Sequence, residues 1–481
     1  MQKKFITNLA LLLFLNLLVK PFYIFAIDAE VQNQVGAEEY GLYFSIFSFS
    51  FLFNILLDLG ITNFNTRNIA QNHQLLEKHL AGILSLKFVL IGFYFLFSFF
   101  LGFIIGYDQM QLKMLVILLV NQSLVSIILY FRSNLTGLHL FKQDSLISVL
   151  DKVILIASMS WLLYGGITNQ PVKIEWFILM QTGSYALTAL IAYLLIRKRS
   201  SRLKFKLKTS FSMMILKKSI PFALLVLMMT FYYRIDTVML ERMLPDGAEQ
   251  SGIYAMGYRF FEASNNISYL FAVLLLPIFS RMIKLKEDVA PLVATAFRIL
   301  ISGAVFLAAM SWFYGENILD LLYEAHILEA TRPFKILMIC FVAVASNYIF
   351  GTLLTANGNL KALNIVAFSG MVINIVLNLI LIPKYMVLGA AFASLITQVF
   401  SSSIQFILVM INFKFRINWN LVLRFAVYLI LLIPLIEFIS KTDYTLFFKL
   451  GLEMALFLFL VSSTGVISPR SLFTLLKGAK K

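Results

Sequence analysis

Charge is scarce in this chain. Only 13% of its 481 residues are Asp, Glu, Lys or Arg, about half the share found in soluble domains. An ordinary cytosolic globule is excluded. Cysteine is nearly missing: Cys340 is the only one and lies in an apolar stretch. An intramolecular disulfide and a cysteine metal cluster are therefore excluded. The four histidines, His73, His79, His139 and His326, form no tight cluster. There is no GxxxxGK(S/T) run, which argues against nucleotide hydrolysis by this chain. Long polar stretches are lacking, so no soluble domain fits between the apolar runs. No small-x-small cleavage site follows the N-terminal apolar run, which continues through Lys20 and Pro21 to Ile27. It reads as an uncleaved first transmembrane helix, not a signal peptide.

What the chain has is apolar length. Hydrophobic residues make up 60% of it and the mean hydropathy is +0.86. Fourteen apolar runs can be traced, at 5–33, 41–66, 80–106, 112–138, 145–168, 174–196, 213–243, 252–283, 291–314, 332–357, 361–383, 386–412, 418–439 and 444–467. A membrane-spanning helix needs about 20 such residues. The runs are too long and continuous for alternating barrel strands. The expected fold is an all-α polytopic membrane protein of about 14 transmembrane helices.

The formal net charge of +16 would suggest nucleic acid for a soluble protein. Here the basic residues sit in short gaps between apolar runs, the pattern of a membrane protein facing anionic lipid and cytoplasm, with no nucleic-acid partner. Alternate gaps differ in sign. One set carries few cations (Lys173, Arg242, Arg332, Lys384, Lys441) and many acids, among them Glu38, Glu39, Asp108, Asp246 and Glu324. The other carries Arg67, Lys78, Arg132, Lys142, Arg281, Lys284, Lys286, Lys361, Lys414 and Arg416, and includes the segment RKRSSRLKFKLK. The positive-inside rule then puts both termini in the cytoplasm.

That basic segment falls near the middle. The expected organisation is a six-helix half at 1–196, a basic cytoplasmic linker at 197–212, a second six-helix half at 213–412, and two additional helices with a tail at 413–481. The halves share ordered features. FYIFAID ends at Asp28 and leads through VGAEEYGLYFSIFSF; FYYRID ends at Asp236 and leads through GAEQSGIYAMGYRF. Gly41 and Gly252 are 211 apart, and Thr136 and Lys142 have the spacing of Thr355 and Lys361. An even number of helices per half gives parallel repeats. Transporters built this way hold substrate between the repeats and rock them for alternating access.

The stretch Ile373–Gln398, with Asn374, Asn378, Pro383 and Gly389-Ala390-Ala391, resembles polysaccharide exporters of the Wzx O-antigen flippase type. So do Gly36, Tyr40-Gly41, LLDLGI at 56–61, and TANGNLKALN at 355–364. The segment 257–281 is similar to the eighth helix of these flippases and of the related lipid II flippase. The resemblance covers essentially the whole chain and implies the multidrug/oligosaccharidyl-lipid/polysaccharide exporter superfamily. Bottom-up, Pro383 is expected to end the eleventh helix. The small residues after it allow close backbone approach, and Asn374 and Asn378, one turn apart, can bond across helices or serve as structural glue.

Ionisable residues at membrane depth cost about 2.5–3.5 kcal/mol on insertion scales and are functional candidates by default. Lys20 falls deep in the first run, Lys87 in the third, Arg234 and Asp236 in the seventh, and Arg259 in the eighth. With Asn374 and Asn378 these are the candidate substrate-binding residues. Bland readings stand beside them: Asp28, Asp58 and Asp151 as interfacial, Lys87 and Lys152 as snorkelling, and Arg259 as the partner of Glu262 one turn away. In the resembled flippases, basic residues on helices one and eight line a cationic cavity for a lipid diphosphate. Arg259 matches that pattern, and Lys20 matches it loosely.

The resemblance implies a flippase, not an enzyme. It would translocate an undecaprenyl-diphosphate-linked oligosaccharide, an O-antigen or other surface polysaccharide repeat unit, across the bacterial cytoplasmic (inner) membrane. No cofactor or metal is expected. Membrane lipids, a coupling ion (H+ or Na+) and polysaccharide assembly proteins are the expected partners. The alternatives are a multidrug and toxin extruder of the same fold, which would want carboxylates for cationic drugs, and a membrane polysaccharide polymerase or glycosyltransferase, which would want a large external loop.

Overall fold

A computed structural model describes the chain apart from residues 1, 72–73, 167–169, 198–208, 416–417 and 468–481. Most of the expected basic linker, His73 and the C-terminal tail lie outside the described residues. Within them the protein is all-helical, with α1 (Gln2–Phe22), a π-helical turn (Tyr23–Asp28), α2 (Ala29–Leu52), a 3-10 turn (Asn54–Leu57), α3 (Ile61–Gln71), α4 (Leu75–Ile104) and α5 (Gln109–Gly137). There follow α6 (Phe141–Tyr164), α7 (Ile174–Arg197), α8 (Thr209–Met243), α9 (Gly247–Lys284), α10 (Ala290–Asp320), α11 (Ile327–Ala356), α12 (Leu360–Phe413), α13 (Trp419–Ser440) and α14 (Leu446–Ser463).

Eleven of these helices are long and apolar enough to cross a membrane. The longest of them holds two spans. A straight helix of the 54 residues of α12 would be about 80 Å long, against a hydrocarbon core of about 30 Å. Lipid-facing rows are visible in the exposure pattern. On α4, Val89, Phe93, Leu96, Phe100 and Phe103 are all exposed, at the three- and four-residue spacing of one helix face. Water would not tolerate such a stripe, and hydrocarbon does. The chain is an all-α, multi-pass membrane protein.

The helix breaks fall at chemically distinct places. Pro21 lacks an N–H, and the helix widens into the π-helical turn directly after it. Gly36 turns the chain inside α2 with φ +84°, a conformation open mainly to glycine. Two boundaries differ from the sequence expectation. The second run, 41–66, is not one span: helix stops at Leu52, and Leu59 and Gly60 take positive φ before α3 begins. The cause is polar capping there by Asp58, described below. Pro383 does not end its helix either. Helical backbone continues past it, and the reversal comes at Met386, with φ 50° and ψ −129°. Gly389 then lies against the Leu381 carbonyl, too close for any side chain.

The chain forms two compact units, Met1–Gly252 and Ile253–Lys481. In the first, α5 packs on α7 and α3, α1 on α6, and α2 on α8. An apolar cluster gathers Ile61, Ile69, Leu76, Leu80, Tyr130 and Leu135. In the second, α11 packs on α10 and α12, and α13 packs on α14 and α10. There Phe306, Met310 and Tyr314 of α10 meet Tyr428, Leu432 and Leu460 of the last two helices.

Candidate functional site: charged groups at membrane depth

Lys87 does not snorkel. Its side chain is 0% exposed, and its ammonium is held on several sides. Nζ donates to Asp58 Oδ1 at 2.7 Å, Ser126 Oγ at 2.8 Å and the Leu57 carbonyl at 3.1 Å. The Asp58 carboxylate also accepts from the Thr62 hydroxyl and backbone N–H. Lys87 thus ties the break after α2 to α4 and α5, and Asp58 caps the start of α3. Its partners are backbone and scaffold groups, not other members of the expected substrate set. Asp58 is likewise an ion-pair partner and cap, not merely an interfacial acid.

Arg234 and Asp236 lie on α8, and both are buried. The Arg234 guanidinium sits over the rings of Phe51 (5.1 Å) and Phe47 (5.6 Å) of α2. Aromatic faces stabilise a cation most where water is excluded. Lys20 is in the last turn of α1, partly buried, directly before the Pro21 break.

In the second unit Arg259 is buried on α9, with Nη1 3.5 Å from Glu262 Oε2. Asn374 and Asn378 are fully buried on α12, and the Asn378 amide donates to Asn374 Oδ1 at 3.2 Å. They join along their own helix.

Three constellations bring together residues that the sequence reading did not connect, although it had singled out Asp151 and Lys152 themselves. Lys152 on α6 lies over the Tyr23 ring (4.5 Å), donates to the Tyr185 hydroxyl (3.2 Å) and is 3.7 Å from Asp151. Tyr23 belongs to the π-helical turn, and such turns concentrate at functional places. At the end of α8, Arg242 pairs with Glu241, covers the Tyr107 ring at 4.8 Å and donates to the Gly106 carbonyl and Gln111. On α14, Glu453 is 0% exposed and accepts from the Tyr314 hydroxyl at 2.6 Å. Glu453 was visible in sequence as an acid inside an apolar run. Its tyrosine, 139 residues away, was not. Among the described residues no group of three or more His, Cys, Asp or Glu side chains could hold a metal ion.

Residues 8–283, more than half of the chain, match the family of polysaccharide biosynthesis proteins. This chain belongs to that family. A relative of this polysaccharide biosynthesis protein is an uncharacterized membrane protein of Methanocaldococcus jannaschii, 24% identical over 381 residues, spanning 76% of this chain and 88% of that protein. Among solved structures, its fold is similar to the lipid II flippase MurJ in an inward closed conformation. The TM-score is 0.72 at 15% identity, over 94% of this chain and 98% of that one. It is also similar to an inward-facing multidrug resistance MATE family transporter of the MOP superfamily, with a TM-score of 0.62 at 14% identity, over 81% and 94%. This polysaccharide biosynthesis protein thus shares its fold with both of those solved structures.

Proposed function

We propose that this polysaccharide biosynthesis protein is a flippase moving an undecaprenyl-diphosphate-linked oligosaccharide across the cytoplasmic membrane by alternating access. The observation that carries the reading is a buried guanidinium on a long apolar helix of each unit, Arg234 and Arg259, in a protein of this family. A guanidinium at membrane depth is costly. A diphosphate is the ligand whose chemistry matches it, through charge-assisted, forked hydrogen bonds. Lys20 adds charge, and Asp236, Asn374 and Asn378 supply polar groups for sugar hydroxyls. Lys87, held by Asp58 and Ser126, secures the helix break after α2 and is not itself a substrate ligand in this reading. The two halves are duplicated repeats, followed by two further helices. Both termini are cytoplasmic, the coupling ion is H+ or Na+, and the polysaccharide assembly machinery receives the product. The drug-extruder reading is less favoured, because a cationic drug would meet cations at these depths. The likeness to the lipid II flippase also spans more of this chain than the likeness to the multidrug transporter.

The test is a charge series at Arg259, read as surface polysaccharide in a strain lacking the protein, with membrane abundance measured alongside. Arg259→Lys keeps the charge but loses the fork and should be partly active. Arg259→Ala should be weak and Arg259→Glu inactive, and Lys20→Glu should resemble Arg259→Glu. A bare Arg259–Glu262 pair would tolerate exchange of the two charges. Full activity of Arg259→Glu at normal abundance would remove the diphosphate reading.

A further inference from the structure

The two halves carry the same short motif, G-A-E-x-x-G, at 36–41 and 247–252. Both copies follow a corner: Gly36 turns the chain inside α2, and Gly247 opens α9 after the α8–α9 corner. In the structure the copies lie on each other. A methyl group at Gly41 would overlap the Ala248 carbonyl oxygen, and one at Gly252 would overlap the Ala37 carbonyl oxygen. The last glycine of each copy therefore rests on the alanine of the other. That reciprocity is the signature of a twofold contact, formed here by two segments of one chain. Gln32 Nε2 adds a hydrogen bond of 2.9 Å to the Gly252 carbonyl.

The seam is backbone against backbone, of the kind small residues permit between membrane helices. The residues beside it are dry: Tyr40 and Ser251 are 0% exposed. Gly252 is also the residue at which α9 passes from the first compact unit into the second. The same corner is held from its other side by Arg242 and Glu241 against Gly106 and Gln111.

We propose that the paired G-A-E-x-x-G segments are a pseudo-twofold latch, through which the α8–α9 corner docks reversibly on α2 during the transport cycle. This rests on the transporter reading, and in the orientation given by the positive-inside rule the latch closes the outer side. Gly41 and Gly252 act by closeness alone: any side chain there holds the seam apart. Gln32 supplies the directional bond that sets the docked register.

The experiment uses the full chain in lipid nanodiscs, where both faces are open to reagent, in a Cys340→Ser background with Ser251→Cys as reporter. A maleimide should label this buried position slowly but to completion. A Ser302→Cys control, buried in α10 at 0% exposure, should stay unlabelled. Gln32→Leu should raise the labelling rate about fivefold, the worth of one net hydrogen bond. Gly41→Val should raise it about tenfold or more. Ser302→Cys should stay unlabelled in both variants, which shows that the fold is intact, and labelling of an exposed Asp443→Cys should be unchanged in both. If Gly41→Val does not fold, Gln32→Leu decides alone. A reporter that never labels in the unmutated seam, or a rate that Gln32→Leu leaves unchanged, overturns the latch. Labelling is read on the protein itself. The expected pattern with no oligosaccharide moved would keep the latch and remove the substrate assignment.

Discussion

Lys87 separates a scaffold role from a substrate role most sharply. Lys87→Met keeps the length of the stem and removes the ammonium. Three contacts are lost at once, to Asp58, Ser126 and the Leu57 carbonyl. Hydrogen bonds from a charged donor are worth about 1.5–3 kcal/mol each and do not add. Breaking a buried ion pair from one side costs about 3–5 kcal/mol. Asp58 keeps 25% of its side chain exposed, so its carboxylate can recover some hydration. The lower end, about 3 kcal/mol, is the expected loss. For a unit of this size that lowers the thermal midpoint by about 5–10 °C. Asp58→Asn should cost a similar amount, because it leaves a buried cation facing a neutral amide. The double variant Lys87→Met/Asp58→Asn should cost less than the sum of the two, because neither charge is then stranded. The assay is thermal unfolding of the detergent-solubilised protein at a fixed scan rate, with surface polysaccharide followed in parallel. Activity should fall only as abundance falls. A Lys87→Met protein with a wild-type midpoint, normal abundance and no transport would refute the reasoning and put the ammonium on the substrate.

The other expectations are simpler to state. Tyr314→Phe strands the buried carboxyl of Glu453 and should destabilise by about 1–3 kcal/mol; adding Glu453→Met should restore much of it, and an equally damaged double variant would contradict this. Topology can be read with single cysteines in a Cys340→Ser background: Asp108→Cys and Asp443→Cys should react with an impermeant thiol reagent in intact cells, and Asp288→Cys and Asn357→Cys only after permeabilisation. Reaction of Asp288→Cys in intact cells would overturn the orientation. Transport should need an ion gradient or removal of product and no nucleotide, so proteoliposomes that flip substrate only with ATP would contradict the proposed energetics.

The sequence by itself determined the class of molecule. Membrane thickness imposes a minimum length of apolar helix, and that length is written locally, so each apolar run was traceable before any contact was known. The resemblance to polysaccharide exporters was legible for the same reason, from residues such as Asn374, Pro383 and Gly389 read in order along the chain, and the match to the polysaccharide biosynthesis family agrees with it. What only the tertiary structure decided is which polar groups answer one another. Asp58 read as an interfacial acid because its partner, Lys87, lies 29 residues away on another helix. The partner of Glu453 lies farther still. The end of the second span and the reversal at Met386 were also misplaced, because capping by Asp58 and the crowding of Gly389 against Leu381 depend on neighbours that local propensity does not see. Gly41 and Gly252 were recognisable in sequence as equivalent positions of a repeat. That each rests on the other's motif follows from folding, which brings together two backbones that share a pattern but no sequence neighbourhood.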